Sequence, residues 1–207
     1  MCVCKTIGTA LLFMLLAGCA GVVTQPAVKT SAQNILSKSA YHDAIDLRGR
    51  LSVRYQQNDK EEAMHGSFAW AQMAQHTMIT LSSPFGQTLA TIDMMPGVST
   101  LLQSGQAPRV AVDVDTLVVD TLGWPLPISG LHQWLQGLAT DAQGRPFIAT
   151  PQADELVTTI DGWKIHYVSW EVDGSASLRP KRIDLERTTA QVGDVALRIV
   201  IDNWQPH

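Results

Sequence analysis

From Asp46 onward, apolar and polar residues alternate along the chain. Leu47, Leu51, Val53 and Tyr55 fall on one face of an extended segment, with Arg48, Arg50 and Arg54 on the other. Period two over this length predicts a half-buried strand across residues 47–55. Asn58-Asp59-Lys60 marks a turn, and residues 64–71 read as the returning strand. Two more strands are expected at residues 76–81 and 88–94, joined by Ser82-Ser83-Pro84-Phe85-Gly86-Gln87. Pro96-Gly97 precedes a strand at residues 98–103, and the stretch from Gly105 to Pro108 precedes a short one at 109–112. Turns at this regular spacing predict an antiparallel sheet that curls into a sandwich or barrel.

The pattern then changes period. Asp113 can cap a helix running to about residue 122, whose Val114, Leu117, Val118 and Thr121 follow helical spacing. Gly123-Trp124-Pro125-Leu126-Pro127 breaks it. Ser129 opens a second short helix through Gln136, and Gly137 stops it. Strands resume at residues 156–160, 163–170, 181–186 and 195–204. The expected architecture is mainly β (α+β): one domain of many antiparallel strands with a helical insertion.

The first forty residues carry no such alternation. Lys5 precedes an apolar run, Thr9-Ala10-Leu11-Leu12-Phe13-Met14-Leu15-Leu16, which is followed by Ala17-Gly18-Cys19. A positive start, an apolar middle and small residues before a cut describe a signal peptide over residues 1–18. The run falls short of the roughly 20 apolar residues of a spanning helix. Leu16-Ala17-Gly18-Cys19 also resembles the lipobox of bacterial lipoproteins, which makes Cys19 the expected lipid attachment point; the competing reading is a buried, inert cysteine. Several acyl chains, at about 0.8 kcal/mol per buried CH2, give near-permanent attachment where one gives marginal binding. Residues 20–30 read as a flexible tether and 31–44 as a possible short first helix. The expected division is 1–18 signal, 19–40 tether with the start of that helix, and 41–207 the folded domain. Cys2 and Cys4 would leave with the signal, so no disulfide is possible in the remainder, and burial alone must hold it.

Charge narrows the partners. The formal net charge is -4 and the basic residues are scattered, which offers nucleic acid no basic patch. The charged fraction of 16% lies well under the usual 25% or so, so much surface, inner or outer, must be apolar or neutral. Catalytic motifs are missing: no Gly-x-Ser-x-Gly, no phosphate-binding glycine loop, no His-Glu-x-x-His. The histidines (42, 65, 76, 132, 166 and 207) have no metal-ligand spacing, and no cofactor is expected. Asp113, Asp115 and Asp120 are better read as a helix cap, a first-turn acid and a wet-face residue than as a catalytic cluster. Six tryptophans, together with Met64, Met73, Met78, Met94 and Met95, hint at an adaptable apolar surface, though each alone reads as core. Phe85 sits between Pro84 and Gly86 at a hairpin tip, where polar residues are the norm. It either folds back over the sheet edge or stands free to meet a bilayer.

These features come together in a family resemblance. Leu47-Arg48-Gly49-Arg50-Leu51, Gly66-Ser67-Phe68-Ala69-Trp70 and Leu81-Ser82-Ser83-Pro84-Phe85-Gly86 carry its first half. Leu122-Gly123-Trp124-Pro125-Leu126-Pro127, Leu131-His132-Gln133-Trp134-Leu135-Gln136-Gly137 and the ending Arg198-Ile199-Val200-Ile201-Asp202-Asn203-Trp204 carry its second. In order and spacing the chain resembles the LolB family, outer-membrane lipoprotein receptors of Gram-negative bacteria. The resemblance implies a half-open antiparallel β-barrel enclosing an apolar cavity, with a lid of short helices. Trp70, Met78, Leu89, Trp124 and Trp134 are the candidates to line it. It implies no enzymatic step: a monomer takes acylated lipoproteins from a periplasmic carrier, LolA, and inserts them into the outer membrane without ATP. The protein would face the periplasm from its lipid anchor. In the family a protruding loop bears a leucine between Pro and Gly; here Pro84, Phe85 and Gly86 form it, with another large apolar residue at the tip. Ala20 after the lipidated cysteine is not the aspartate that retains many lipoproteins in the inner membrane. Two other classes stay in view, a lipid-anchored β-rich subunit of an envelope assembly complex and a hydrolase with a polar cleft.

Overall fold

A computed structural model describes residues 41–57, 60–122, 125–152, 156–173, 177–190 and 193–207. The expected signal peptide, Cys19, the tether and the part of the possible first helix before residue 41 lie outside them. Residues 41–44 are described and are not helical.

The strands are β1 (Ile45–Gln57), β2 (Lys60–Met73), β3 (His76–Ser82), β4 (Thr88–Met95), β5 (Val98–Gln103) and β6 (Arg109–Ala111) before the helices. Then come α1 (Val114–Leu122) and α2 (Ile128–Trp134), followed by β7 (Leu138–Thr140), β8 (Pro146–Ile148) and β9 (Leu156–Thr158). Strands β10 (Lys164–Val172), β11 (Leu178–Thr189) and β12 (Gly193–Pro206) close the chain. Ten of these form one antiparallel sheet in the order β6-β5-β4-β3-β2-β1-β12-β11-β10-β9. Its two edge strands are not paired to each other, so the sheet stays an open barrel, as a twisted sheet of this width tends to curl.

Alternation decides which face is the core. Along β1, Ile45, Leu47 and Val53 are buried while Arg48, Arg50 and Arg54 are exposed. Paired strands continue the inner face with Phe68 and Trp70 on β2, Ile79 on β3, Ile183 and Leu185 on β11, and Leu197, Ile199 and Ile201 on β12. Gly49 of the Leu-Arg-Gly-Arg-Leu segment has a structural reason. It sits at a register shift between β1 and β12, where an added Cβ would lie 2.1 Å from the Val200 carbonyl oxygen and 2.8 Å from the Phe68 ring.

The helices cover the inner face. Asp113 caps α1 as expected, its carboxylate accepting from the Thr116 backbone N–H at 2.7 Å. Asp115 does more than suit its first turn. It accepts from both the backbone N–H (3.0 Å) and the hydroxyl of Ser129, so one helix supplies the cap the other lacks. The far end of α2 is held by the buried Tyr167, whose hydroxyl donates to the Trp134 carbonyl at 3.1 Å. Burial pushes that phenol's pKa well up, so it remains a donor.

Sequence patterning misses the β7–β8 hairpin. Each strand has three residues, and its turn is organised by Asp141, which accepts from the backbone N–H groups of Gln143 and Arg145. Gly144 supplies the positive φ of 77° that this turn requires.

Candidate functional site: an apolar hollow beside an exposed hairpin

The inner face does not fill completely. Between β1–β4, β12 and α2 lies a hollow of about 160 Å³. Its floor includes Leu51, Phe68, Trp70, Ile79 and Leu197, and its roof is Leu126, Ile128, Leu131 and Leu135. Positions 128, 131 and 135 recur at the three- and four-residue steps that align side chains along one helix face. That spacing marks the roof in the sequence, where residue type alone does not. Among the described residues, the polar ones that border it are His65, Ser67, Ser82 and Gln103, near the end where β3 stops. Among the described residues, no Asp, Glu, Lys or Arg lines it.

The wall has a notch. β2 pairs with β3 only from Ser67↔Ser82 onward, leaving Lys60–Gly66 of β2 running past the end of β3. At this point β3 turns into the Ser83–Gln87 hairpin. Its hydrogen bonds are local: Gly86 N–H to the Ser83 carbonyl at 2.9 Å, Ser83 N–H to the Gln87 carbonyl at 2.8 Å, and the Phe85 and Gln87 N–H groups to the Ser83 hydroxyl. Gly86 takes a φ of 81°, closing the turn. Phe85 is 92% exposed, so it does not fold back over the sheet edge.

The other expected cavity residues divide. Trp70 lines the hollow and is buried, its indole N–H donating to Gln72 Oε1 at 3.1 Å. Leu89 lines it at the rim and is partly open to solvent. Met78 does not: Ile79 and Leu81 on the same strand point inward, and alternation sends Met78 to the outer face, where it is exposed. Trp134 is buried in the core against Gly130 but forms no part of the wall, and Trp124 lies outside the described residues. Of Met64, Met73, Met78, Met94 and Met95, Met64 alone lines the hollow, whereas Met73 and Met95 are exposed on the surface. The described histidines and carboxylates form no group able to hold a metal ion.

With this geometry in view, comparison with known proteins is decisive. Residues 43–204 match the family described as Outer membrane lipoprotein LolB. The chain belongs to the LolB family. Two relatives named Outer-membrane lipoprotein LolB illustrate the match. One from Ralstonia nicotianae is 37% identical over 91% of this chain and 90% of its own length. One from Cupriavidus pinatubonensis is 38% identical over 74% of this chain and 76% of its own. Among solved structures, a LolA superfamily protein from Nitrosomonas europaea overlays with a TM-score of 0.47 at 11% identity, over 85% of this chain and 93% of that one.

Proposed function

We propose that this LolB-family chain is a lipid-anchored outer-membrane protein that receives the acyl chains of lipoproteins from a soluble periplasmic carrier of the LolA kind and releases them into the outer membrane. The observation that carries this reading is the adjacency of an apolar hollow and a fully exposed aromatic hairpin tip. An acyl chain of about sixteen carbons costs on the order of 10 kcal/mol to expose to water. It must travel sheltered, and the hollow offers walls without charge.

The volume sets a condition on uptake. An apolar cavity of roughly 150 Å³ accepts one benzene ring. At about 160 Å³ the hollow therefore admits a short length of hydrocarbon and not a whole acyl chain. Loading requires the α2 roof to lift. Its two ends are held by Asp115 and by Tyr167, and Gln136 just beyond it exchanges two hydrogen bonds with the His42 backbone, so these are the polar ties that lifting would break. The notch beside β2 offers the way out, since it opens next to Phe85. Cys19 tethers the domain to the membrane that Phe85 enters. Transfer without ATP runs downhill provided the receiver holds the chains more favourably than the carrier, and the bilayer more favourably again.

Phe85→Glu tests the reading. The variant should fold normally and take up an acylated lipoprotein, because Phe85 touches neither core nor hollow. Placing a charge at the tip should impair release into liposomes by at least tenfold, since a carboxylate resists entry into hydrocarbon. Normal insertion by Phe85→Glu would remove the hairpin from the mechanism.

A further inference from the structure

The outer face of the sheet carries a second concavity at the same rim. It is a recess of about 500 Å³ walled by Arg50, Ser52, His65, Ser67, Arg198 and Pro84. Strand register explains why they meet. Arg50 pairs with Ser67 and Ser52 with His65 across β1–β2, and Ser52 pairs with Arg198 across β1–β12. Directly paired residues share a face, and these face outward. Pro84 reaches in from the hairpin, one residue before Phe85.

The chemistry of the walls is that of an anion site. Both guanidiniums are aimed by bidentate ion pairs set to one side. Arg50 donates through Nε and Nη2 to Asp202, at 2.9 Å each, and Arg198 through the same atoms to Asp184, at 3.1 and 3.2 Å. Asp184 is shared with Arg182, so positive charge exceeds negative here. Each arginine keeps its Nη1 donors, because a guanidinium has five N–H groups and two are engaged. Ser52 and Ser67 add hydroxyl donors. Among the described residues no carboxylate lines the recess, which leaves a choline or ethanolamine ammonium without a partner there.

We propose that this recess binds the phosphate of an anionic phospholipid in the leaflet that Phe85 enters. The inference rests on the reading of Phe85 as a membrane-entering tip. The headgroup layer is only about 5–8 Å deep on each side of the hydrocarbon. Ser82, at the base of the hairpin, lies beside Ser67, which lies beside Arg50, a step of roughly 5 Å per strand. Pro84, next to Phe85, borders the same recess as both arginines, so a tip in hydrocarbon brings them to headgroup depth. Held there, the lipid would keep the notch against the bilayer.

The test uses the full lipid-anchored chain in nanodiscs, with its arginine side chains labelled for NMR. The Nε–H signals of Arg50 and Arg198 should shift in discs containing phosphatidylglycerol. They should not shift in phosphatidylcholine discs, with or without added inorganic phosphate. An equal response to inorganic phosphate overturns the lipid assignment in favour of a free-phosphate site, and no response in any disc overturns the site. A second measurement follows lipoprotein insertion into vesicles of each lipid. The advantage of phosphatidylglycerol should fall on the order of tenfold in Arg50→Gln/Arg198→Gln and return in part in Arg50→Lys/Arg198→Lys. Equal insertion into both lipids by the unsubstituted chain counts against the recess. No insertion into either counts against the transfer reading instead, while the NMR result still decides the recess.

Discussion

The two halves of the sheet use the same apolar residue types for different ends. From β12 through β11 to β10, the inner face is close-packed apart from Leu197 and Ile199 at the edge of the hollow: Ile165, Ile183, Leu185 and Ile201 have no exposed surface at all, and Trp163 almost none. From β1 through β2 to β4, the inner face meets a void, and Leu51, Met64 and Leu81 are only partly buried around it. The solid half also holds most of the surface ion pairs, Arg50–Asp202 and the Arg182–Asp184–Arg198 group among them. Among the described residues, β3–β5 carry only the His76–Asp93 contact at 3.2 Å, which is an ion pair only when the imidazole is protonated. One half is close-packed, and the other gives up packing around the hollow.

The sharpest way to break that contrast is to delete the same atoms on both sides. Leu185→Ala leaves a cavity in close-packed surroundings and should cost about 3–5 kcal/mol of unfolding free energy. Leu81→Ala widens a space that already exists, so few contacts are lost, and it should cost only about 1–2 kcal/mol. Urea denaturation of both variants gives the comparison. Equal costs would mean that the hollow is as tightly packed as the core and that the division into halves is wrong.

Both halves could be read in part before the structure. Regular alternation between Pro and Gly turn marks put β5 at its observed bounds and β1 to β4 within a few residues, because a one-residue slip would turn every buried side chain outward. The wall of the hollow was harder. Chemical type favours Met78, but the face is set by position, and Ile79 beside it takes the inward place. Phe85 could not be assigned from its neighbours, since Pro and Gly permit either orientation; the local hydrogen bonds of the Ser83 turn and the open ring decide it. The β7–β8 hairpin has too few residues for alternation to register. Asp115 was legible only as a helix-end acid, because its partner Ser129 lies across a proline-broken connection.

The seam between the halves is β1, which pairs with β2 on one side and β12 on the other. Gly49→Ala pushes on both at once. Its new methyl group meets the Val200 carbonyl in the solid half and the Phe68 ring in the wall of the hollow. The expected cost is about 1–3 kcal/mol, with weaker uptake of a hydrophobic dye as Phe68 is displaced. A loss of stability with unchanged dye binding would show the seam to be mechanically isolated from the hollow.

Acid offers the gentlest probe, because the ion pairs lie unevenly. The hydrogen bond from Arg50 holds the Asp202 carboxyl below the usual carboxylate range. Burial pushes Asp184 up, but hydrogen bonds from Arg182 and Arg198 outweigh it and hold that group low as well. A carboxyl whose pKa is lower folded than unfolded binds fewer protons in the folded state, so it adds stability above its unfolded value near 4. That contribution is lost as pH falls from about 4 through the depressed values. Both groups sit on β11 and β12, in the solid half. Between pH 7 and 5 the thermal midpoint should barely move, and below pH 4 it should fall by a few degrees at most, because exposed pairs are well screened. Hydrogen exchange locates the change: β11 and β12 should lose protection in acid before β3 to β5 do. Asp202→Asn should flatten the effect. If β3 to β5 loosened first, the ion pairs would not be what stiffens the solid half, and its rigidity would rest on packing alone.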